Sequence, residues 1–252
     1  MLQSAQEQTV VVVSHGSRNA TWVSAQREWF AGVTRLLPSN LHAELTFLEI
    51  SDPLFEARLK ELDHNQRVLI LPFFLSHGGH AGEDIPELAQ RHLLNFQLIK
   101  AHGLEHALGL NAARRLREMG ASAGEAVIVS AYGGSRSQNQ WLDLVAGIQT
   151  KSGEFSAAPP WLFAPAGHYL EDSAAPLREQ LATVRAKGLR RCAILPLYLA
   201  VSSYQETLIP SVIAEFPDLQ IKFLPSGVLP DPGLEKWAAE LIMEHSQAEK
   251  NV

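Results

Sequence analysis

The stretch Val10-Val11-Val12-Val13-Ser14-His15-Gly16-Ser17-Arg18 returns later in the chain as Val127-Ile128-Val129-Ser130-Ala131-Tyr132-Gly133-Gly134-Ser135-Arg136, with the Gly-Ser-Arg triplets 118 residues apart. Each copy opens on an apolar, largely β-branched run, as expected for a strand buried on both faces of a parallel sheet. A second pair, Leu69-Ile70-Leu71-Pro72-Phe73-Phe74-Leu75 and Ala193-Ile194-Leu195-Pro196-Leu197-Tyr198-Leu199, lies at a spacing of 124, and Ile85-Pro86 recurs as Ile209-Pro210 at the same spacing. Leu48-Glu49 with Pro53-Leu54 is echoed by Leu170-Glu171 with Pro176-Leu177. Self-similarity of this kind marks two halves built on one plan. The join falls in the small, turn-rich stretch Met119-Gly120-Ala121-Ser122-Ala123-Gly124, which divides the chain into lobes 1–122 and 123–252.

Outward from these runs, strands are predicted at Thr9–Val13, Glu44–Leu48, Val68–Phe74, Phe96–Ala101, Ala126–Ala131, Trp161–Pro165, Cys192–Leu199 and Gln220–Leu224. Helical patterns lie between them, from about Thr21 to Leu37 and from near Pro53, Glu83, Gly103, Gln138, Ala175, Tyr204 and Pro232. Eight βα units in 252 residues also describe a closed barrel. The repeat favours an α/β chain of two tandem flavodoxin-like or Rossmann-like lobes, each a four-stranded parallel sheet with flanking helices, and a cleft between them.

Composition sets the outer bounds. With 46 % hydrophobic and 19 % charged residues, the chain is too apolar to be disordered. A single cysteine, Cys192, excludes a disulfide framework and a cysteine-based zinc finger. A net charge of −6 argues against a general nucleic-acid or membrane-surface binder. No apolar run approaches the 18 or so residues of a membrane span, and Met1–Thr9 lacks a basic leader region, so a cytoplasmic protein is expected.

Ligands of open α/β sheets bind beyond the carboxyl ends of the strands. In the first lobe these ends carry Ser14-His15-Gly16-Ser17-Arg18, Glu49-Ile50-Ser51-Asp52 and Ser76-His77-Gly78-Gly79-His80. All three fall on one edge, so His15, Glu49 and His80 can converge. Imidazoles with a carboxylate suit a borderline divalent ion such as Co²⁺, Fe²⁺, Ni²⁺ or Zn²⁺. The second lobe lacks this set. It offers Tyr132 or Gly133 opposite His15, Val201 opposite His77 and Tyr204 opposite His80, and eight of the ten histidines precede the join. A single metal-handling lobe is the expectation. Tyr204 offers an aromatic face instead.

The remaining features divide between roles. Glu49 either joins the histidines or caps the helix after Pro53. His102 and His106 have the i, i+4 spacing of a metal pair and are read as surface residues, as are His42, His64, His92 and His245. The matched loops carrying Ser17, Arg18, Ser135 and Arg136 suggest anion binding beside a helix N-terminus. Gly16, Gly78 and Gly79 allow tight turns or a close ligand approach. Neither a P-loop nor a Rossmann glycine fingerprint is present, so no nucleotide cofactor is indicated.

The order His-Gly-Ser-Arg, then Phe-Leu-Glu-x-x-x-Pro, then Leu-Pro-x-Phe-Leu-x-x-Gly-x-His-x-x-x-Asp-Ile-Pro resembles the class II sirohydrochlorin chelatases. These enzymes insert cobalt or iron into sirohydrochlorin, and their long form is a fused tandem of two short units that would span nearly all of this chain. The resemblance implies that His15 and His80 hold the metal or accept protons and that Glu49 is an acidic site residue. It implies a place in sirohaem or cobalamin biosynthesis and insertion without ATP. The divalent metal, Co²⁺ or Fe²⁺ with Ni²⁺ also fitting, is a substrate, and no further cofactor is expected. The tetrapyrrole's carboxylates would meet Ser17, Arg18, Gly78, Gly79, Ser135 and Arg136, with Tyr204 against the ring. The expected form is a monomer with a pseudo-twofold, binding neither nucleic acid nor membrane. His77 departs from the family, which more often has a small residue there, and is either a third ligand or a solvent-facing neighbour. The alternatives are another tetrapyrrole chelatase, acting on protoporphyrin or inserting nickel, and a non-catalytic binder of metal or tetrapyrrole.

Overall fold

The structure is a computed structural model that describes residues 8–63, 66–75, 80–132, 138–157, 161–166 and 172–247. All eight predicted strands are present. β1 (Thr9–Ser14), β2 (His42–Phe47), β3 (Val68–Pro72) and β4 (Phe96–Leu98) form one sheet in the order β2-β1-β3-β4. β5 (Ala126–Tyr132), β6 (Trp161–Ala166), β7 (Arg191–Leu197) and β8 (Gln220–Phe223) form a second in the order β6-β5-β7-β8. Every pairing is parallel. The same order twice, in two open sheets, settles the duplication and excludes a closed barrel.

Burial explains why these runs become strands. Val10, Val11, Val12 and Val13 are fully buried, and each such side chain contributes roughly 1.5–3 kcal/mol relative to exposure. One face of the first sheet packs Val11, Val13 and Ile70 against Phe55, Leu59, Ile85 and Ala89, from α2 (Phe55–Glu61) and α3 (Ile85–His92). The opposite side carries α1 (Ala20–Leu36) and α8 (Pro232–Gln247), where Trp29 stacks on Phe73 with ring centroids 3.9 Å apart. In the second sheet, Ile128 and Ile194 pack with Leu177 and Leu181 of α6 (Ala175–Ala186) and Ile209 and Val212 of α7 (Ile209–Ala214). The edge strands β4 and β8 are only partly buried and are shorter than their apolar runs suggested.

The repeat extends to an unusual backbone device. A π-turn over His80–Asp84 leads into α3, and a second over Tyr204–Leu208 leads into α7 at the same spacing of 124. In the second, the Ile209 N–H reaches back five residues to the Tyr204 carbonyl. Pro86 and Pro210 follow; neither has the N–H that an α-turn would use at that point.

Two compact units result: residues 1–103 with 230–252, and residues 104–229. The sequence join near 122/123 lies in the turn between α4 (Leu104–Glu118) and β5, but the compact units divide elsewhere because α4 and α8 change sides. In the second unit α4 packs on α5 (Gln138–Lys151). Gly109 makes that approach possible, since a Cβ there would lie 2.5 Å from the Lys151 Cβ. In the first unit α8 packs on α1, and the Trp237 indole N–H donates to the His102 carbonyl at 2.9 Å.

Candidate functional site

In the first sheet β2 lies on one side of β1, and β3 and β4 lie on the other. The chain therefore reverses its winding between β1 and β3, the switch point where such sheets open a crevice. His15 directly follows β1, and Glu49 follows β2. His15 Nε2 stands 3.4 Å from Glu49 Oε1, with 39 % and 49 % of the two side chains exposed. On the other edge of the ring, His15 Nδ1 lies 3.1 Å from the Gly16 carbonyl oxygen. A carbonyl only accepts, so Nδ1 is the donor nitrogen there. Nε2 is turned to a carboxylate, which favours a positive charge at that nitrogen, brought by a proton or by a metal ion.

The loop after β2 is built to make this meeting. The Glu49 N–H donates to the His15 carbonyl at 3.1 Å, and the Leu48 N–H donates to the Ser14 carbonyl at 2.7 Å. Gly16 has φ +99°, and a Cβ there would lie 1.8 Å from the Glu49 carbonyl oxygen. The Ser51 hydroxyl accepts from the Ser17 N–H at 2.9 Å and donates to the Ser17 carbonyl at 3.0 Å. The Ser51 N–H closes a three-residue turn onto the Glu49 carbonyl at 2.7 Å, with Ile50 at its centre and φ +68°. That is the rare, strained hand of the γ-turn. The left-handed region costs an L-residue roughly 1–2 kcal/mol, and a β-branched residue is an outlier there. Glu49 is not the cap of α2: Leu54 holds that place, without a side-chain bond.

An open hollow of about 300 Å³ joins the end of β2 to the His80–Asp84 turn and is lined by Leu48, Glu49, Asp84, Glu87, Leu88 and Arg91. His80 is thus the first residue of a π-turn rather than part of a plain loop. Its side chain lies outside what is described, as do His77, Gly78 and Gly79 in full. Among the described residues no three His, Cys, Asp or Glu side chains are arranged to hold a metal.

Ser17 belongs to the Ser51 clamp, and Arg18 is exposed ahead of α1. Anion binding at the α1 N-terminus is constrained by a residue the sequence reading passed over. The Asn19 side chain already accepts from the Thr21 and Trp22 N–H groups at 2.9 and 3.3 Å. Ser135 and Arg136 lie outside the described residues. His102 sits in the turn before α4 and pairs with Glu244 at 3.2 Å, so it does not share a helix face with His106. His92, read as a surface residue, is largely buried and faces Glu56 at 3.3 Å.

The second unit resolves the Tyr132-or-Gly133 ambiguity. Thr9 pairs with Val68 in the first sheet, and Ala126 pairs with Cys192 in the second. Matching Val68 to Cys192 matches Thr9 to Ala126, and so His15 to Tyr132. Tyr132 meets Tyr198 edge to face at 5.9 Å, and Tyr198 lies 5.9 Å from Tyr204. Tyr198 is buried and shares a hydrogen bond with the Ser130 hydroxyl at 3.2 Å, whereas Tyr132 is 46 % exposed. Burial pushes the Tyr132 phenol above its ordinary value, away from phenolate. Both histidine positions of the first unit are thus tyrosines in the second, with a third tyrosine between them.

No curated protein sequence matches the chain. Among solved structures, the sirohydrochlorin chelatase SirB from Bacillus subtilis subspecies spizizenii, in complex with cobalt, superposes with a TM-score of 0.72 at 16 % identity, covering 97 % of each chain. SirB from Bacillus subtilis with Fe³⁺ gives 0.74 at 18 % identity, covering 96 % of this chain and 98 % of that one. CbiX, the terminal enzyme of siroheme biosynthesis in denitrifying bacteria, gives 0.61 at 18 % identity, covering 94 % and 98 %. At such identities the likeness is one of fold. The CbiX family model matches residues 9–119, the segment that holds β1–β4 and all three motifs. That segment, a little under half of the chain, is similar to the CbiX family.

Proposed function

We propose that the chain inserts a divalent metal, cobalt or iron, into sirohydrochlorin. The observation that carries this reading is the His15–Glu49 pair, whose Nε2 and carboxylate oxygen stand 3.4 Å apart at the sheet's switch point. Support also comes from the family of residues 9–119 and from the fold shared with chelatases solved with cobalt and with iron. The metal is a substrate. Insertion releases two pyrrole N–H protons for each ion taken up, so the site must offer a donor to the ion and a base to the ring.

Neutral imidazole can serve either task. His15 Nε2 offers its lone pair while the Gly16 carbonyl holds the tautomer. Glu49 offsets the positive charge that arrives, as a proton or as the ion. His80, matched by resemblance, supplies the second imidazole. Ser17, Arg18, Gly78, Gly79, Ser135 and Arg136 are assigned to the macrocycle's carboxylates, and Tyr204 to its face. The sequence carries no ATP-binding motif, so the reaction is read as ATP-independent. Among the described residues no helix is long and apolar enough to cross a membrane.

The test mixes purified protein with sirohydrochlorin and Co²⁺ or Fe²⁺ and follows the visible spectrum against a protein-free control. The expected result is a metallated spectrum formed over many turnovers. Stoichiometric saturation without turnover would make the protein a binder. Turnover on protoporphyrin or with Ni²⁺ alone would make it a different chelatase.

A further inference from the structure

We propose that Ile50 is a binding residue whose exposed side chain packs against the apolar face of the macrocycle; this rests on the functional reading above. Ile50 occupies a backbone position that asks for glycine or asparagine: φ is +68°, at the centre of the turn closed by the Ser51 N–H on the Glu49 carbonyl. A β-branched residue there is unfavourable in the backbone. The side chain does not recover the loss by burial, because Ile50 is 53 % exposed. Folding alone would therefore be served better by a smaller residue. Strain of this kind persists where a site uses it.

The place of the residue indicates the use. Its neighbour Glu49 lines the hollow shared with the His80–Asp84 turn and faces His15 Nε2. The turn that carries Glu49 also leaves the Ile50 side chain outside the core, one residue along the chain from the acid of the acid–imidazole pair. Leu54, on the same segment, is likewise exposed at 38 %. A conjugated ring whose centre reaches His15 has apolar faces beside that centre, and an aliphatic side chain there removes ring surface from water.

The test measures the dissociation constant of sirohydrochlorin by absorbance titration without metal, then KM and kcat with Co²⁺, for wild type and Ile50→Gly, Ile50→Asn and Ile50→Val. Gly and Asn both accept positive φ, so both variants should melt at or above the wild-type temperature. Both should nevertheless bind sirohydrochlorin roughly five- to thirtyfold more weakly, the loss appearing in KM rather than kcat. Val, which keeps the apolar branch, should stay within about threefold of wild type. If Asn binds as well as wild type, Ile50 only shapes the loop and the proposal fails. If wild type binds sirohydrochlorin and all three variants match it, the proposal fails while the functional reading stands. If wild type itself does not bind sirohydrochlorin, both fall.

Discussion

His15 Nε2 and Glu49 Oε1 face each other at 3.4 Å, while the Gly16 carbonyl occupies the other nitrogen of the same ring. The pair is therefore committed in direction: one nitrogen is tied to the backbone, and the other is presented beside a negative charge. His15→Ala should lower the insertion rate by at least about tenfold, since acid–base groups typically contribute 10²–10⁴-fold. Glu49→Gln keeps the shape and removes the charge, and should weaken Co²⁺ binding in equilibrium dialysis. Wild-type rates in His15→Ala would remove this histidine from the site.

Gly16→Ala tests the loop rather than the chemistry. The new methyl would meet the Glu49 carbonyl at 1.8 Å, and φ +99° is strained for any residue with a Cβ. The backbone must move, and Glu49 moves with it. The expected outcome is a loss of roughly 1–3 kcal/mol in chemical denaturation, together with reduced turnover. A variant of unchanged stability would show that the loop has room the contact distance denies.

Tyr204→Ala should raise KM for the tetrapyrrole more than it lowers kcat, because an aromatic face contributes to ground and transition states alike. His80→Ala should mainly lower kcat. Tyr132 takes the place of His15 in the second sheet, and its phenol is held above the ordinary range by burial. Tyr132→His should not create a second insertion site on its own, because the position that matches His80 is also a tyrosine, Tyr204. Loss of all turnover in Tyr204→Ala with retention in His80→Ala would place the metal in the other half of the chain.

Glu125 makes a prediction about acid. Its side chain is 1 % exposed and receives Lys222 Nζ at 2.7 Å and the Ser122 hydroxyl at 3.0 Å. Burial pushes its pKa up, but the bonds from Lys222 and Ser122 outweigh that and leave it below the ordinary value. A carboxyl held low in the fold stabilises it above the unfolded pKa, near 4.5, and the benefit disappears as pH falls through the folded value. Lys222→Met should cost roughly 1–3 kcal/mol in urea unfolding at pH 7 and much less below pH 4. A pH-independent difference would mean that the charge on Glu125 plays no part.

The apolar runs were readable as strands because a parallel strand buried on both faces tolerates no polar interruption, as Val10 to Val13 show. The three polar strand ends of the first lobe were readable for a related reason: where burial stops, residue type is free to serve chemistry. The edge strands were overdrawn. Phe96 to Leu98 is covered only in part, and the ladder ends with the Ile99 N–H donating to the Ile70 carbonyl at 2.8 Å. The turn at Ile50 had no signal, since a β-branched residue argues against the conformation it adopts. Nor could periodicity assign α4 and α8 to their sheets: an amphipathic pattern says that a helix has an apolar face, not which surface will cover it. The spacing between repeats left Tyr132 and Gly133 equal candidates, and only the pairing of Ala126 with Cys192 separated them.

The placement of α8 carries a consequence for synthesis. The first sheet is formed from residues 9–98, yet the helix that covers β3 beside α1 spans Pro232–Gln247. While the ribosome is still translating the second half, the surface around Trp29 and Phe73 waits for Trp237. The earliest-made sheet is thus among the last parts to be sealed, and a chain stalled or cut before residue 232 leaves that surface open to solvent and to neighbouring chains.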